Sequence, residues 1–482
     1  MSNKSELKRG LNLIDSTAIV VGSMIGSGIF IVSADMARTL GSPGWLLIAW
    51  LLTGLITLSA ALSYGELAAM MPHAGGQYVY LREAFGRPIG FLYGWTLFTV
   101  IQTGTIAAVC VAFSKFTGVI FPWFSSSHWI FKFGTFGSYN IGLNTENLLA
   151  IVSIIFLTWI NTKGLEAGKS IQNIFTLTKI IALLGLILVG LFIGKNHEAI
   201  SANLQNFWTA SWMHTGAQHP IPLHGIAIFG ALGAAMVGSL FSSDAWNNIT
   251  FTAGEVINPK KNIPLSLALG TSVVILLYLL VNITYLCVLP LHGHIDGNSL
   301  FSRGIQFATD GRVGTAAMQM IFGNSGAVIM AMLIMISTFG CANGIILSGA
   351  RVYYAMAKDN LFFKIAGRTN EKAVPQVALI IQCIWASLLC LSGTYNDLLD
   401  YVIFAVLIFY VLTIIGLFVL RVKQPKAERP YKAFGYPIIP AVYILFAGTI
   451  SIDLLIFKPH YTLPGLGIVL LGFPVYLLWQ KN

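Results

Sequence analysis

Charged residues and cysteines are both scarce in this chain, and each scarcity argues against a class of protein. Asp, Glu, Lys and Arg make up 10% of the 482 residues, whereas soluble domains carry about 25%. The cysteines form no C-x-x-C pair and no Cys/His cluster, which argues against a disulfide framework and a metal site, and no cofactor is expected. They are Cys110, Cys287, Cys341, Cys383 and Cys390.

Hydrophobic residues, by contrast, make up 56% of the chain, and the mean hydropathy is +0.76. Apolar runs of roughly 20 residues recur along the whole length, as an all-α membrane protein requires. No cleavable signal peptide is expected, because the first apolar run continues beyond signal-peptide length. Hydropathy predicts twelve spans, at roughly 13–37, 44–70, 89–121, 147–162, 171–194, 225–252, 264–290, 325–357, 374–392, 398–420, 436–456 and 464–480.

The net charge of +10 follows the predicted topology rather than a nucleic-acid surface. With the N-terminus inside, about 20 of the 28 Lys and Arg residues lie on one side of the membrane and about seven on the other. The positive-inside rule therefore predicts that both termini, with Lys4 and Lys481, are cytoplasmic. The basic loops are expected to orient the protein and to contact anionic membrane lipid.

The longest polar stretch, at about 195–224, is rich in histidine but is expected to be an ordinary outer loop. Its histidines are irregularly spaced between two spans, which disfavours a metal site. Neither they nor His73 supply a nucleophile–base pair or metal ligands on facing helices, so an enzyme is not expected. The loop histidines are His197, His214, His219 and His224.

A glycine- and serine-rich sequence, Gly22-Ser23-Met24-Ile25-Gly26-Ser27-Gly28-Ile29-Phe30, lies inside the first predicted span. These residues weaken a helix, and lipid cannot satisfy the backbone amides that a break releases. Such a break is tolerated where it lines an enclosed cavity, and the amides that begin the second half-helix then suit a small anion such as a carboxylate. The motif is not a dinucleotide-binding loop, because Gly26-x-Gly28 lacks a third glycine and follows no strand.

The sixth predicted span contains a second polar break, at Gly238-Ser239-Leu240-Phe241-Ser242-Ser243-Asp244-Ala245-Trp246-Asn247-Asn248. Interrupted spans at corresponding positions of two halves indicate an inverted-repeat transporter with its site near the membrane midplane. The alternative is two unrelated kinks, in which Gly22-x-x-x-Gly26 serves helix packing.

Further motifs occur in order along the chain, at Tyr64–Leu67, Pro72–Gly86, Ile171–Lys179, Gly254–Pro264, Ser337–Gly344 and Glu428–Lys432. With the first break, they make the chain resemble the amino acid–polyamine–organocation (APC) superfamily, and within it the L-type amino acid transporter (LAT) branch. The resemblance implies twelve helices, arranged as a five-plus-five inverted repeat with two additional C-terminal helices. The implied division is a cytoplasmic segment 1–12, a first repeat 13–194, an extracellular loop 195–224, a second repeat 225–421, and a final pair of helices with the cytoplasmic C-terminus, 422–482.

The resemblance also implies a substrate site at the two breaks. Amides of the first break would hold the substrate carboxylate, and carbonyls of both breaks would accept its α-ammonium, a division that follows from the dipoles of half-helices. Phe241 would also act as an aromatic gate, and the third span would line the side-chain pocket. The implied substrate-binding residues are Met24, Ile25, Gly26, Ser27, Gly28, Gln102, Thr103, Gly104, Phe241, Ser242, Ser243 and Asp244.

Two acidic residues near the breaks have different expected roles. Asp244 is ionisable within a span and is therefore a functional-site candidate. It either assists ammonium binding or caps the broken helix through a local hydrogen bond, and the cap is favoured. Asp15, at the start of the first span, is expected to be the N-cap of that helix.

Lys179 is a single charge in the otherwise apolar fifth span, where a buried ammonium needs partners. The resemblance implies that it replaces the sodium ion of Na⁺-coupled relatives, beside carbonyls of Gly22–Ile25 and beside Ser337 and Asn343 of the eighth span. Transport would then be Na⁺-independent. Alternatively, Lys179 carries a transported proton, since burial lowers the pKa of a lysine.

The substrate expected from the resemblance is a neutral L-amino acid, because apart from Asp244 no charge near the pocket suits arginine or glutamate. The tenth span, around Phe404-Ala405-Val406, lacks an asparagine that a human member carries there, so the particular amino acid stays open. Exchange of amino acids across the membrane is the favoured function. A proton-coupled symporter is the alternative, and a sensor or transceptor that binds amino acids without moving them would share every motif.

The outer loop at 121–146 contains no cysteine. Mammalian light chains of the family use a cysteine there to attach a glycoprotein heavy chain. The resemblance therefore implies a bacterial inner-membrane protein that works without such a partner, as a monomer or weak homo-oligomer.

Overall fold

The computed structural model describes residues 7–136, 139–213, 219–391, 395–457 and 459–480, so Lys4, His214 and Lys481 lie outside the described residues. Most described residues are helical, and the strands form two short antiparallel pairs. The helices are α1 (Leu13–Met24), α2 (Gly28–Leu40), α3 (Pro43–Met70), α4 (Gln77–Phe85), α5 (Arg87–Thr96), α6 (Gln102–Ile120), α7 (Thr145–Thr162), α8 (Leu165–Phe192), α9 (His197–Gln205), α10 (Ile226–Ser242), α11 (Asn248–Phe251), α12 (Pro259–Val288), α13 (Leu300–Arg303), α14 (Val313–Lys358), α15 (Gln376–Leu389), α16 (Tyr395–Lys423), α17 (Ile438–Phe457) and α18 (Pro459–Gln480). The strands are β1 (Trp129–Phe136), β2 (Tyr139–Asn144), β3 (Ser211–Trp212) and β4 (Ile221–Pro222).

Within the described residues, ten helical segments are long and apolar enough to cross a membrane. They correspond to ten of the twelve predicted spans, while the sixth and ninth predicted spans hold the shorter apolar helices α10 and α15. The all-helical membrane character that the composition predicts is therefore confirmed.

Both polar sequences do interrupt helices. The first span is divided into α1 and α2, and α10 ends at Ser242, where the second polar sequence begins to unwind. The eighth span differs from expectation, because α14 begins at Val313 rather than near residue 325. Gly323 interrupts α14 with a φ of 63°, a left-handed conformation that glycine adopts readily.

The start of α1 corrects one expectation. Asn12, not Asp15, is the N-cap residue, and its side chain accepts a hydrogen bond from the Asp15 amide at 2.9 Å. Asp15 instead takes the third helical position, and its carboxylate accepts from the Asn12 amide at 3.0 Å. This reciprocal capping box satisfies two amides that the helix leaves unpaired.

The broken helices lie at the centre of the bundle. Helix α1 packs against α8, α12 and α14, whereas α2 packs mainly against α10. Helices α6 and α14 pack along each other and enclose the breaks from one side. Helix α2 follows the first break and α10 precedes the second, and these two half-helices pack against each other.

The two ends of the bundle differ in structure. One end, which we call the basic face, carries the N-terminal segment, where Leu11 forms a parallel β-bridge with Val256. The other end, the hairpin face, carries β1–β2, α9 and β3–β4. The expected outer loop at 195–224 thus contains a helix and a strand pair. Among the described residues, no group of three or more His, Cys, Asp or Glu is placed to hold a metal ion.

Candidate substrate site and its lysine

The first break consists of Ile25, Gly26 and Ser27, all of them buried, with Ser27 at the N-cap position of α2. The first amides of a helix have no partners within that helix. The start of α2 therefore carries a partial positive charge in a dry environment, which suits a carboxylate.

The second break runs from Ser243 to Asn247, between α10 and α11. Ala245 has a φ of 62°, a conformation that residues with a Cβ seldom adopt. The Asp244 amide donates to the Phe241 carbonyl at 3.1 Å. Phe241 is 7% exposed, so its ring is largely packed in this structure.

Tyr278 of α12 joins the two breaks. Its hydroxyl lies 3.1 Å from the Met24 carbonyl oxygen and 3.0 Å from the Ser242 carbonyl oxygen. Since one hydroxyl has one proton, it donates to one of these carbonyls at a time. Sequence reasoning missed this residue, because a single tyrosine in an apolar span resembles an ordinary core aromatic.

A small cavity lies between the two breaks. Several residues that line it were not predicted, among them Thr105, Cys341 and Ile345. Ile25 and Ser243 do not line it, although Ser243 lines a small neighbouring cavity. The predicted residues that line the central cavity are Met24, Gly26, Ser27, Gly28, Phe241, Ser242 and Asp244.

Of the three predicted residues of the third span, only Gln102 lines a cavity at the site. Gln102 lines a small adjoining cavity, and its side-chain amide donates to the Ile345 carbonyl at 2.8 Å. Thr103 instead donates to the Phe98 carbonyl at 2.6 Å, and Gly104 faces Val402. Neither lines the three cavities around the breaks.

Helical periodicity explains this difference. It would also have identified Thr105, which the sequence analysis did not include. Gln102, Thr105 and Val109 are spaced i, i+3 and i+7, so they share one face of α6. Thr105 lines both the central and the adjoining cavity. Five residues with π-helical geometry, Leu97–Ile101, precede this face, and such segments often accompany functional sites.

Asp244 lies where all three cavities meet. Its carboxylate accepts a hydrogen bond of 2.6 Å from the Tyr410 hydroxyl of α16. No side chain caps α11, whose N-cap position is Asn247. The Asp244 carboxylate therefore joins the break to α16, and it also has a hydrogen bond to the backbone of Ala245 within the break. The favoured expectation, a local capping role for Asp244, stays a prediction.

Lys179 is completely buried, and its ammonium group binds the first break directly. Its Nζ donates to the carbonyl oxygens of Gly22 and Ile25, each at 2.8 Å. The Ser337 hydroxyl of α14 lies 3.2 Å from the carbonyl oxygens of both Ile25 and Gly26. The carbonyls that the break releases are thus satisfied by α8 and α14.

Asn343 does not share this environment. Its side chain donates to the Gly168 carbonyl and to Gln172, each at 3.2 Å, and accepts from Asn161 at 2.9 Å. It lies six residues after Ser337, a spacing that places it on another side of α14 and about 9 Å further along the axis. Its hydrogen bonds therefore do not include Lys179, and its part in the ion-site substitute stays a prediction.

A sequence model of the family described as amino acid permease matches residues 11–464. The chain belongs to the amino acid permease family. This family lies within the APC superfamily, so the resemblance of the motifs is confirmed.

Known relatives of this permease are amino acid transporters. It is 29% identical to the human "Large neutral amino acids transporter small subunit 2", over 99% of this chain and 82% of the relative. It is 28% identical to the "Serine/threonine exchanger SteT" of Bacillus subtilis, over 99% and 98% of the two chains. It is also 28% identical to the human "b(0,+)-type amino acid transporter 1", over 95% and 85%. These relatives are transporters rather than enzymes, which supports the non-enzyme expectation.

Proposed function

We propose that this permease exchanges neutral L-amino acids across the membrane by Na⁺-independent alternating access. The observation that carries the proposal is the contact of Lys179 Nζ with the carbonyl oxygens of Gly22 and Ile25. A fixed ammonium on these carbonyls occupies the environment that a sodium ion would need. Two unit charges 4 Å apart repel by about 4 kcal/mol at an effective dielectric constant of 20, so a dissociable Na⁺ is disfavoured there.

The substrate site of the proposal uses both breaks. The carboxylate binds at the amides of Ser27 and Gly28, and the α-ammonium binds near the carbonyls of Met24 and Phe241, with Asp244 adding negative charge. These carbonyls accept hydrogen bonds from Tyr278 and from the Asp244 amide in this structure. The Met24 carbonyl oxygen has two lone pairs and can accept a second bond from the substrate.

The architecture of the proposal has twelve crossings, with α10 and α15 completing the ten longer segments. They form two five-helix inverted repeats followed by α17 and α18, and both termini lie in the cytoplasm of a bacterial cell. The breaks in the first and sixth spans support this arrangement, because inverted-repeat transporters place interrupted helices at corresponding positions. We further propose that the permease works without a heavy chain, although a relative is named as a small subunit.

Counterflow in proteoliposomes tests the function. Vesicles containing the purified permease are loaded with an unlabelled neutral amino acid, and uptake of the radiolabelled amino acid is measured with sodium or with choline outside. We expect uptake that requires internal amino acid and is unchanged by choline. Steep dependence on external sodium would contradict the role of Lys179, and the absence of counterflow for every amino acid would favour a sensor.

Two further conditions separate the remaining alternatives. Uptake that follows an imposed proton gradient without internal amino acid would identify a symporter instead of an exchanger. Amino acid amides such as alaninamide should not compete, because they lack the carboxylate that Ser27 and Gly28 are proposed to bind.

A further inference from the structure

One face of α8 carries three polar side chains that all bind backbone carbonyls of the first span. Gln172, Thr176 and Lys179 are spaced i, i+4 and i+7, so they lie on the same side of the helix. Lys179 binds carbonyls at the break. Gln172 Nε2 and Thr176 Oγ1 both donate to the Ala18 carbonyl of α1, at 3.3 and 3.1 Å. Helix α8 therefore holds the first span both at the break and about one turn before it.

Gly22 lets the two helices come this close. A Cβ on Gly22 would collide with Gln172 Nε2 and Thr176 Oγ1. Small residues at the interface between membrane helices allow the backbones to approach and bring polar side chains within reach of the opposite carbonyls. The first glycine of the first polar sequence thus belongs to the contact with α8.

Gln172 is itself held by a chain of buried amides. Asn161 of α7 donates to Asn343 of α14 at 2.9 Å, and Asn343 donates to Gln172 at 3.2 Å. All three side chains belong to residues that are at most 3% exposed. The amide chain, as we call Asn161, Asn343 and Gln172, therefore connects α7, α14 and α8 to the Ala18 carbonyl of α1.

The hydrogen bonds of the amide chain run in one direction. The second amide proton of Asn161 goes to the Leu157 carbonyl at 2.9 Å, and that of Asn343 goes to the Gly168 carbonyl at 3.2 Å. A carboxamide has two donor protons, so both asparagines use all of theirs. Because Gln172 Oε1 accepts from Asn343, its nitrogen is turned towards α1. Reversing any one amide would bring two donors or two acceptors together, which is costly where water is excluded.

These contacts specify geometry more than they add stability. Hydrogen bonds between membrane helices contribute little net free energy, because the separated helices also find partners. A buried polar group that loses its partner is nevertheless penalised, so a fully satisfied network favours one arrangement of the helices. The contact of α1 with α12 is different in kind, since Gly270 packs there against the apolar side chains of Val20 and Val21.

We propose, resting on the proposed amino acid exchange, that Asn161, Asn343 and Gln172 act as one positioning chain that fixes α1 on α8 and thereby the geometry of the first break. A shift of α1 along α8 would separate Lys179 from the carbonyls that it binds. The three residues lie outside the cavities around the breaks, so they act through α1 and not on the substrate. The amides proposed to bind the carboxylate begin α2, beyond the break, so turnover depends on the chain more than affinity does.

Gln172→Met tests this role, because it keeps the length of the side chain and removes its amide. We expect the maximal counterflow rate per folded protein to fall at least about fivefold, while the half-saturation concentration changes less than about twofold. Gln382→Met is the matched control and should keep the rate, because Gln382 is also buried but donates to the Ile346 carbonyl of α14 at 3.1 Å. A merely structural role would lower the amount of folded protein without lowering the rate per folded protein. That result, or an affinity that falls as much as the rate, would overturn the proposal.

A double variant tests whether the amides act as a unit. Asn343→Leu should lower the rate about as much as Gln172→Met, and the two together should lower it no further, because either change alone already interrupts the chain. Losses that multiply in the double variant would overturn the chain. If Gln172→Met does not fold, Asn161→Leu interrupts the chain at its other end and provides the same comparison. Absence of counterflow in the unmodified protein would instead contradict the proposed function, and this inference with it.

Discussion

At the scale of single residues, Gly28 at the start of α2 lies close to Ser242 at the end of α10. A Cβ placed on Gly28 would lie 2.7 Å from the Ser242 Cβ and 3.0 Å from its Cα, whereas packed carbon atoms lie about 3.5–4.0 Å apart. We expect Gly28→Ala to reduce exchange at least tenfold and stability by about 1–3 kcal/mol, the usual effect of overpacking. Counterflow and thermal unfolding in detergent measure the two effects.

Two comparison variants make this expectation specific. Gly26→Ala should be milder, because its nearest neighbour is the Cys341 sulfur at 3.1 Å, and a side chain can move more easily than a backbone. Adding Ser242→Gly to Gly28→Ala removes the Ser242 side chain and should restore part of the activity. Full activity in Gly28→Ala alone would show that the close approach is unimportant.

Lys179 carries the second prediction at this scale. Lys179→Met removes the ammonium from two buried carbonyls, and each hydrogen bond to a charged group contributes about 1.5–3 kcal/mol. The first break should lose its fixed geometry, so the maximal exchange rate should fall at least tenfold, more than the affinity falls. Thr178→Ala, on the exposed side of the same helix, should behave like the unmodified protein. A Lys179→Met variant with unchanged turnover would remove the main support for the proposed ion substitution.

At the scale of helices, a buried ion pair joins the residues between α11 and α12 to α14. Arg351 and Glu255 form two hydrogen bonds of 3.0 Å, and both residues are about 1% exposed. The Glu255 carbonyl also accepts from the amides of Gly10 and Leu11 at 2.8 and 2.9 Å. This cluster therefore holds the N-terminal segment, the residues between α11 and α12, and α14 together at the basic face.

The third prediction concerns this pair. Arg351→Met leaves the Glu255 carboxylate buried without its partner, and breaking such a pair typically costs about 3–5 kcal/mol. We expect a large drop in the unfolding temperature in detergent. The double variant Arg351→Met with Glu255→Leu should recover much of it, because a well-packed apolar pair often replaces a buried ion pair without loss. No recovery would mean that the pair does more than neutralise buried charge.

A second set of polar contacts on the basic face joins α4 to Asp359, the residue that follows α14. The Tyr78 hydroxyl donates to the Asp359 carboxylate at 2.8 Å, and Arg82 also pairs with Asp359. Burial and the neighbouring carboxylate raise the pKa of Tyr78 above its usual value. The phenol therefore stays protonated and able to donate throughout the physiological range, and this contact does not act as a pH switch.

Helix positions show where sequence reasoning succeeds and where it stops. The breaks were predictable because glycine, serine and aspartate inside an apolar run contradict a continuous helix. The side of α6 that faces the site was not predictable. The resemblance indicated the consecutive residues 102–104, whereas Gln102 and Thr105, which are spaced i and i+3, face the site. Asn343 likewise bonds to Asn161, Gly168 and Gln172 rather than to Lys179, since a shared motif does not fix which side of a helix a residue occupies.

At the scale of the whole molecule, composition predicted the membrane fold and most helix positions, since spanning length and hydropathy follow from bilayer thickness. Contacts between distant elements could not be read from the chain. The Tyr278 bridge and the Tyr410–Asp244 bond each join residues from separate spans. Such pairs depend on how the helices pack, and single tyrosines carry no sequence pattern that distinguishes them from core aromatics.

The orientation of the molecule gives the last prediction. Exposed Lys261 lies near the start of α12 on the basic face, and exposed Lys195 follows α8 on the hairpin face. If the basic face is cytoplasmic, a membrane-impermeant maleimide should label Lys195→Cys but not Lys261→Cys in intact cells. Both variants should be labelled after permeabilisation, and the unmodified protein corrects for its own five cysteines. Because the sequence predicts about 20 Lys and Arg residues on the cytoplasmic side, labelling of only Lys261→Cys in intact cells would reverse the orientation and contradict the positive-inside rule for this protein.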